Sequence, residues 1–258
     1  MRFAPRAEGE PLFVLGCRVD AIDGGEAVRR IVDLAHHDGE GALVVTLGTE
    51  MVVHAQRDAR FRETVNASAL ALCDTVGIML AARLQGARIA ERVAGVDLLD
   101  PLCAAFAREA IPVYFLGAKG ETARRAADTL CARHTGLRVA GARDGYFAAA
   151  EDDAVAAQVA ASGARVLFAG LGSPRQEFWI REHLAQTGCT VGIGVGGSFD
   201  VIAGNVVRAP ALWRRLNVEW LYRLVQEPHR WRRQLALPYF VWLVLGERAR
   251  ARLTRRLS

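Results

Sequence analysis

The first residues that could do chemistry lie in a glycine-rich turn. It contains Gly192, Gly194, Gly196 and Gly197, follows a short apolar run, and is followed by Asp200 at the start of a helix-like stretch. Glycines at such a place let backbone N–H groups and a helix dipole approach a phosphate. The Asp200 carboxylate could then accept hydrogen bonds from ribose hydroxyls. Glycines at a strand end equally often form only a tight turn, so the pattern leaves a phosphate site and a plain turn open.

A second turn of the same type lies earlier in the chain. Residues 116–122 include Gly117, Gly120 and the only lysine of the sequence, Lys119. This turn also joins a strand-like run to a helix-like run. Two phosphate-compatible turns in one sheet favour a nucleotide ligand.

Polar side chains follow two further apolar runs. Asp74 comes directly after the run 70–73. It could cap the following helix or act as a general base. Gln176 and Glu177 follow a Ser-Pro dipeptide, which suits the start of a helix, and should face the same rim as Asp74. Glu177 could also do no more than complement the helix dipole.

Metal-ligand spacings and nucleophilic-serine motifs are missing from the sequence. It has no Asp-x-Asp pair, and its six histidines and five cysteines are scattered without ligand spacing. It has neither a Gly-x-Ser-x-Gly motif nor a Walker-type phosphate loop. We therefore expect no metal and no cofactor, and a chemistry of acid–base and electrostatic catalysis.

The elements that must position these residues alternate between strand-like and helix-like runs. Continuous apolar runs predict strands covered on both faces, and i, i+3, i+4 apolar spacing predicts helices between them. The predicted strands are 12–16, 42–46, 70–73, 113–117, 137–141, 165–170 and 190–195. The predicted helices are 25–37, 76–85, 96–109, 120–133, 152–162 and 174–186. This alternation predicts a Rossmann-like α/β fold, a parallel sheet flanked by helices, whose ligands bind beyond the carboxyl ends of the strands.

The charge of the chain divides it into two parts. Residues 208–258 contain 12 arginines and three glutamates, a surplus of nine positive charges, and four of the five tryptophans. Because the whole chain carries +5, residues 1–207 carry −4. We therefore predict an α/β core over 1–207 and a basic, tryptophan-rich, α-helical appendage over 208–258.

The predicted appendage has features of a membrane-surface segment. Leu212, Leu216, Trp220 and Leu224 mark one helical face within 212–226, and an apolar run follows at 235–245. That run is too short to span a bilayer, which needs about 20 residues. Arginine-rich helices with interleaved tryptophan suit an anionic membrane surface. We expect peripheral membrane contact and no nucleic-acid partner. The alternative interpretation is a C-terminal helical hairpin that packs on the sheet and exposes its basic face to solvent.

The expected location follows from the N-terminal residues and from the placement of the cysteines. The N-terminal residues contain no apolar signal-peptide core, and the cysteines show the scattered pattern of free thiols in a reducing compartment. We therefore expect a cytosolic protein at the cytoplasmic face of the cell membrane. An amphipathic segment away from a membrane can be covered by self-association, so a homo-oligomer is also compatible with the sequence.

Eight short motifs occur in the order of a known family. They are Thr46-Leu-Gly-Thr-Glu50, Asp74-Thr-Val-Gly77, Glu91-Arg92-Val-Ala-Gly95-Val-Asp97, Phe115-Leu-Gly117, Asp144-Gly-Tyr-Phe147, Gly172-Ser-Pro-Arg-Gln176-Glu177, Gly194-Val-Gly-Gly-Ser-Phe-Asp200 and the segment from Arg208-Ala-Pro210 to Glu227-Pro228. Each motif alone is unspecific, but together they resemble the WecG/TagA/CpsF family, glycosyltransferase family 26. The similarity covers roughly residues 10–245.

The resemblance implies an inverting, metal-independent glycosyltransferase of bacterial cell-envelope or exopolysaccharide synthesis. Such an enzyme moves a sugar from a UDP-sugar to a sugar carried by a polyprenyl diphosphate. By position, Asp74 matches the proposed catalytic base, and Thr46, Arg92 and Gln176 match residues of the sugar-nucleotide pocket. Gly194, Gly196 and Asp200 of the glycine-rich turn complete the expected donor site. Arg223, Arg230 and Arg233 match appendage arginines thought to bind diphosphate.

Four positions depart from the family pattern. Gly48 stands where the family usually has Asn, and Thr49 near where it usually has Pro or a similar residue. Thr75 stands where it usually has Gly, and Arg175 where it often has Lys. Gly48 lacks a side-chain amide that could recognise a donor substituent. The donor sugar therefore stays open between glucose, N-acetylmannosamine and its uronate.

Two other functions are compatible with parts of the sequence. The glycine-rich turn occurs in NAD(P)-dependent oxidoreductases, but there an acidic residue follows about 20 positions later at a strand end. Here Glu219 falls in that window within the arginine-rich segment, not on a predicted strand. A non-catalytic basic module that binds membranes would explain 208–258 but not the turns and carboxylate upstream.

Overall fold

Helices and strands alternate along the chain in the computed structural model. It describes residues 11–39, 41–210, 213, 222 and 236–257. The strands are β1 (Leu12–Val14), β2 (Cys17–Val19), β3 (Ala42–Leu47), β4 (Leu70–Cys73), β5 (Val113–Gly117), β6 (Val139–Arg143), β7 (Val166–Gly170) and β8 (Val191–Gly194). The helices are α1 (Gly24–His36), α2 (Thr49–Ala55), α3 (Ala59–Asn66), α4 (Val76–Leu84), α5 (Gly95–Arg108), α6 (Thr122–Arg133), α7 (Asp152–Ala161), α8 (Arg175–Thr187), α9 (Ser198–Ile202) and α10 (Ala236–Leu257), with a 3₁₀ turn at Ala149–Glu151.

Six strands form one parallel sheet in the order β4-β3-β8-β7-β5-β6. Val45 of β3 pairs with Ala71 of β4 on one side and with Gly194 of β8 on the other. Val45 packs into the apolar cluster of α2, α3, α4, α7 and α8, whereas its neighbour Val44 packs into the cluster of α1, α5 and α6. Apolar layers on both faces explain why the strands are continuously apolar. The structure confirms the predicted Rossmann-like parallel sheet flanked by helices.

The first predicted strand, 12–16, is a strand over Leu12–Val14, but it does not enter this sheet. The chain turns at Leu15 and Gly16, which both have positive φ (50° and 77°), and β1 pairs antiparallel with β2. A two-residue turn with left-handed central residues is typical of a tight hairpin. Asp20 then exchanges two hydrogen bonds with the backbone of Ala71, at 2.7 and 2.8 Å, which fixes the hairpin to the β4 edge.

Two short helices between β3 and β4 have no counterpart in the sequence-based prediction. α2 has seven residues and α3 has eight, so each offers too few turns for a 3.6-residue period to stand out. The Asp58 side chain caps α3 by accepting from Phe61 N (3.0 Å). β6 also begins two residues later than the predicted strand 137–141.

The C-terminal helix α10 packs against α2 and α4. Phe240 and Val244 are buried in this contact. The Gln85 amide of the core donates a hydrogen bond to Glu247 Oε2 (2.9 Å). Helix α10 is therefore tied to the core by apolar and polar contacts.

The apolar run 235–245 contains Pro238, which does not break α10. It lies in the first turn of α10, where a helix tolerates proline because the first N–H groups have no helical partner. The predicted helical character of the C-terminal region is confirmed for 236–257. The predicted helix at 212–226 lies outside the described residues, and the boundary at residue 208 stays a prediction. No helix that the structure describes is long and apolar enough to cross a membrane.

Candidate active site

The loops after the parallel strands form one connected rim at the carboxyl edge of the sheet. Gly145 N, after β6, donates to Ala118 O (2.8 Å), after β5, and Ala118 N donates to Gly170 O (2.9 Å) at the end of β7. Val195 N, after β8, donates to Ala169 O (2.9 Å). Backbone hydrogen bonds thus hold four loops together at the edge where parallel sheets bind ligands.

The turn after β5 lies where the chain changes direction in the sheet. β5 leads to β6 at one edge, whereas the adjacent β7 leads to β8 nearer the middle. Gly117 ends β5 with φ of 141°, and a Cβ there would overlap the backbone of Gly170. Glycine is required for this approach. The turn, with its exposed Lys119, therefore borders a topological switch point, the usual ligand crevice of such sheets.

Four of the predicted donor-binding residues meet in the middle of the rim. Thr46 Oγ1 donates to Gly194 O (2.8 Å), and Gly196 N donates to Gln176 Oε1 (3.1 Å). The side chains of Thr46 and Gln176 are almost completely buried. Their hydrogen bonds hold the glycine-rich turn against β3 and α8. Because both side chains are used in this way, a ligand at the turn would chiefly meet a backbone in a fixed position.

Glu177 is fully buried beside this turn, in the first turn of α8. Its Oε1 accepts from Gln176 Nε2 (2.7 Å), whereas its Oε2 has no hydrogen-bond partner among the described residues. Burial raises the pKa of the carboxyl, and the hydrogen bond from Gln176 opposes the shift. Complementing the helix dipole needs the ionised form, which burial disfavours. We call this set the floor cluster: Thr46, Gln176, Glu177, Gly194 and Gly196.

Asp74 stands directly after β4, next to β3. Its N–H donates to Leu47 O (3.0 Å), which continues the β3–β4 ladder, and the residue is half-buried. The N-cap position of α4 is Thr75, whose side chain makes no capping hydrogen bond. Asp74 therefore precedes the cap position. A carboxylate at this edge fits the base role that the resemblance implies.

The neighbouring Cys73 thiol responds to the charges around Asp74. Burial, with a smaller contribution from the negative Asp74, raises the pKa of Cys73 to about 12, and the positive Arg92 opposes the shift. Asp74 and Arg92 thus both lie within electrostatic range of the same thiol. Cys73 stays neutral near pH 7, which makes it a packing residue.

Arg92 lies on the loop between α4 and α5. Val93 N of this loop donates to Cys73 O (2.8 Å), which holds the loop against the end of β4. Arg92 Nη2 lies 3.5 Å from Asp97 Oδ2, and Arg208 Nη2 donates to Asp97 Oδ1. The sequence interpretation assigns no role to Asp97 or Arg208. Both fall in motifs of the family pattern, but only the contacts show that they meet.

Asp200 links two helices behind the glycine-rich turn. Its Oδ1 accepts from Asn205 Nδ2 (3.2 Å), which also donates to Thr122 Oγ1 (3.0 Å) on α6. Arg125 Nη2 donates to Asn205 Oδ1 (2.6 Å). One carboxylate oxygen of Asp200 thus has a structural partner, and its contact with a ribose stays a prediction.

Arg175 fixes the loop after β6, a role that the sequence interpretation does not include. Its guanidinium donates to Gly145 O (2.9 Å) and Phe147 O (3.0 Å) and lies 4.5 Å from the centre of the Phe147 ring. Tyr146 between them is largely exposed. These contacts of Arg175 hold the loop segment that carries the exposed Tyr146 side chain at the rim of the site.

The remaining predicted site residues cannot be placed. Arg223, Arg230 and Arg233 lie outside the described residues, so their contact with a diphosphate stays a prediction. In the part of the chain that the structure describes, no three His, Cys, Asp or Glu side chains are grouped to hold a metal ion.

Comparisons with known proteins match this chain along most of its length. The model of the glycosyl transferase WecG/TagA/CpsF family matches residues 12–254. Two relatives are named N-acetylglucosaminyldiphosphoundecaprenol N-acetyl-β-D-mannosaminyltransferase. The one from Bacillus spizizenii is 35% identical over 214 residues, 83% of this chain and 82% of the relative. The one from Bacillus subtilis is 33% identical over 207 residues, 80% of each chain. These matches argue against the two alternative interpretations, an NAD(P)-dependent oxidoreductase and a non-catalytic membrane-binding module. The chain belongs to the WecG/TagA/CpsF family of glycosyltransferases.

Proposed function

We propose that this enzyme moves a hexose or an N-acetylhexosamine from a UDP-sugar to a sugar carried by a polyprenyl diphosphate, in bacterial cell-envelope or exopolysaccharide synthesis. The observation that carries the proposal is the long match to two relatives whose names give a diphosphoundecaprenol-linked N-acetylglucosamine as acceptor. A rim with a carboxylate, a fixed glycine-rich turn and arginines supports it, since a donor and an acceptor that both carry diphosphate need such groups.

Asp74 is the proposed general base. It takes the proton from the acceptor hydroxyl while that oxygen attacks the anomeric carbon of the donor sugar. The bond from the anomeric carbon to the UDP oxygen breaks, and UDP leaves with the electron pair. One displacement inverts the anomeric centre. A positioned base contributes about 10²- to 10⁴-fold in rate.

The leaving UDP gains negative charge that the protein has to stabilise. Gly194 and Gly196 shape the glycine-rich turn, where the Gly196 N–H already donates to Gln176 Oε1, and Arg92 supplies a cation at the edge of the rim. A guanidinium fork such as that of Arg92 can stabilise such a charge in the transition state without a metal. Arg223, Arg230 and Arg233 are proposed to bind the acceptor diphosphate, and Asp200 to bind the donor ribose.

Gly48 is proposed to influence the choice of donor sugar. It is the N-cap of α2, at the end of β3, and a Cβ there would lie 3.7 Å from Thr75 Cγ2, an ordinary contact. The position thus has room at Cβ for a side chain, and glycine leaves that room empty. Glucose, N-acetylmannosamine and its uronate are the candidate sugars.

We place the enzyme as a peripheral protein at the cytoplasmic face of the cell membrane, where a lipid-linked acceptor is accessible. Helix α10 buries Phe240 against the core, whereas Val241, Trp242 and Leu245 are exposed on it. An exposed apolar strip beside arginines suits an anionic lipid surface. Away from lipid, a second copy of the chain could cover the same strip.

The test is UDP release by the full-length enzyme with a panel of UDP-sugars and a short-chain, diphospholipid-linked N-acetylglucosamine. We expect release that depends on the acceptor, occurs with one donor class and persists in EDTA. If EDTA abolished UDP release and a divalent cation restored it, the proposal that the reaction is independent of metal would be contradicted. Transfer from a non-uridine nucleotide alone would contradict the donor class.

A further inference from the structure

Three charged side chains form a group at the edge of the rim, which we call the edge cluster: Arg92, Asp97 and Arg208. The two oxygens of Asp97 contact different arginines. Oδ2 lies 3.5 Å from Arg92 Nη2, and Oδ1 accepts from Arg208 Nη2. Arg208 is 111 residues from Asp97 along the chain. One carboxylate thus holds together two guanidinium groups that would otherwise repel each other.

The edge cluster adjoins the floor cluster. A Cβ on Gly95, two residues before Asp97, would lie 3.4 Å from Thr46 Oγ1 and 3.4 Å from Ser198 Oγ. The start of α5 therefore packs against the end of β3 and the start of α9. A cleft of about 440 Å³ between α1 and α5 opens beside it, and Arg92 and Asp97 line that cleft. A ligand seated on the glycine-rich turn would lie next to these charges.

Arg208 has a donor that the described residues leave unsatisfied. Its Nε is buried and has no hydrogen-bond partner among them, and the side chain as a whole is 26% exposed. Native proteins usually satisfy buried N–H groups, because an unmet one is costly. Paired guanidinium groups match the oxygens of phosphates through directed, often bidentate, hydrogen bonds. A phosphate-bearing ligand would therefore complete the bonding of this group.

We propose that Asp97 is a positioning residue that holds Arg92 and Arg208 as a paired binding site for a diphosphate group. The three side chains together carry one net positive charge, and the carboxylate sets the spacing of the two forks before the anion arrives. The inference rests on the proposed function, in which the nucleotide donor and the lipid acceptor each carry a diphosphate. Arg208 is also the first residue of the basic C-terminal segment, so the pair joins that segment to the core.

The first test measures the affinity of the full-length enzyme for inorganic pyrophosphate, UDP and uridine. Loss of charged hydrogen bonds in Arg208→Gln is expected to weaken pyrophosphate binding roughly 10- to 100-fold and to leave uridine binding unchanged. Arg208→Lys keeps the charge and the apolar stem but loses the fork, so it should fold if Arg208→Gln does not and should bind with intermediate affinity. Unchanged pyrophosphate affinity in both variants, or an equal loss for uridine, overturns the proposal.

Two further measurements identify which diphosphate is bound. A matching loss of UDP affinity in Arg208→Gln assigns the pair to the nucleotide. Unchanged UDP affinity, with a raised KM for the diphospholipid-linked acceptor, assigns it to the lipid. Either result supports the paired site.

The variant Asp97→Asn distinguishes a positioning role of Asp97 from its effect on the net charge of the edge cluster. Removing the carboxylate raises the net charge of the edge cluster by one, so Coulomb attraction alone would strengthen pyrophosphate binding. If Asp97 positions the arginines, affinity falls instead, by roughly tenfold, and Asp97→Glu recovers part of it. A rise, or no change, in pyrophosphate affinity overturns the positioning role.

Asp100 on the same helix is a matched control. It also lies close to two other side chains, Arg133 Nη1 at 3.1 Å and His134 Nε2 at 3.3 Å, and it is 46% exposed, against 40% for Asp97. Asp100→Asn is expected to leave pyrophosphate affinity unchanged. If no UDP-sugar supports transfer while pyrophosphate binding still depends on Arg208, the proposed function fails and this inference stands.

Discussion

The floor cluster and the edge cluster lie side by side but differ in how far their side chains are exposed to solvent. In the floor cluster, Thr46 and Gln176 are buried and bond the backbone of the glycine-rich turn. In the edge cluster the side chains are partly exposed, and Arg208 keeps a donor unmet among the described residues. Buried side chains that bond the backbone are held rigidly, whereas partly exposed charges can rearrange around a ligand. The floor therefore sets the shape of the site, and the edge supplies its adjustable charge.

This contrast makes a general prediction. Substitutions in the floor cluster should lower stability and activity together, because they disturb the backbone of the turn. Substitutions in the edge cluster should lower ligand affinity at constant stability. Asp74 belongs to neither cluster and should affect turnover alone.

The largest effect is expected for Asp74→Asn. Loss of the base should reduce turnover at least about 100-fold. UDP-sugar affinity and melting temperature should stay close to the wild-type values, because Asn is nearly isosteric. Single-turnover kinetics and calorimetric titration measure the two quantities separately. Near-normal turnover would assign Asp74 a structural role.

The two faces of α10 repeat the contrast between a buried and an exposed side chain. Phe240 is 3% exposed and Trp242 is 65% exposed. Phe240→Ala should cost about 3–5 kcal/mol of unfolding free energy. Trp242→Ala should leave stability unchanged and weaken binding to anionic vesicles, measured by co-sedimentation. Unaltered vesicle binding in Trp242→Ala would contradict the proposed membrane contact of this face.

Gly194→Ala tests the close packing of the floor cluster. A Cβ there would lie 2.7 Å from Gln176 Nε2 and 3.2 Å from Glu177 Oε1, so the turn has to shift. We expect a loss of about 1–3 kcal/mol in unfolding free energy, with a parallel loss of activity. Gly197→Ala is the control, since no atom lies within 4 Å of its added Cβ. Equal stability of the two variants would show that the floor is not tightly packed.

Glu177→Gln tests the buried carboxyl through pH. Burial raises the pKa of Glu177, so the folded protein keeps this proton at pH values where the unfolded chain has lost it. The wild type therefore loses stability as pH rises above about 4.3 towards the raised folded-state pKa. Glu177→Gln removes this loss, so its stability relative to wild type should grow with pH by at most about 1.4 kcal/mol per unit. Thermal melts of both proteins between about pH 4 and 8 measure it, and a pH-independent difference would refute it.

The smallest effect is expected for Gly48→Asn. The position has room at Cβ, so stability should change by less than about 0.5 kcal/mol. An amide there should shift the ratio of kcat/KM between UDP-N-acetylmannosamine and UDP-glucose towards the N-acetylated donor. Competition assays with both donors measure this ratio. An unchanged ratio would remove Gly48 from the proposed specificity residues.

The fold was largely predictable because its signals are local. Continuous apolar runs predict seven of the eight described strands, all but β2, and 3.6-residue spacing predicts the longer core helices, including α1, α5 and α8. The hairpin of β1 and β2 was missed because Leu15 adopts a left-handed conformation that a leucine rarely takes. The short helices α2 and α3 were missed because seven or eight residues carry little periodic signal.

Within the site, the sequence indicated residue types but not partners. Asp74 and Gln176 could be singled out because each follows a predicted strand. The burial of Glu177 could not be predicted from the sequence, since the first turn of a helix is usually exposed. Asp97 and Arg208 had no signal beyond their motifs, because their contact joins residues 111 positions apart.

The sequence by itself therefore determined the alternation of strands and helices, the two charge regimes of the chain and the order of its motifs, since all of these depend on neighbouring residues. The tertiary structure decided that β3 lies next to β8, which brings Thr46 to Gly194 across 148 positions. It also decided that one carboxylate faces two arginines. Strand order and side-chain contacts of this kind arise from packing the whole chain, and no local pattern encodes them.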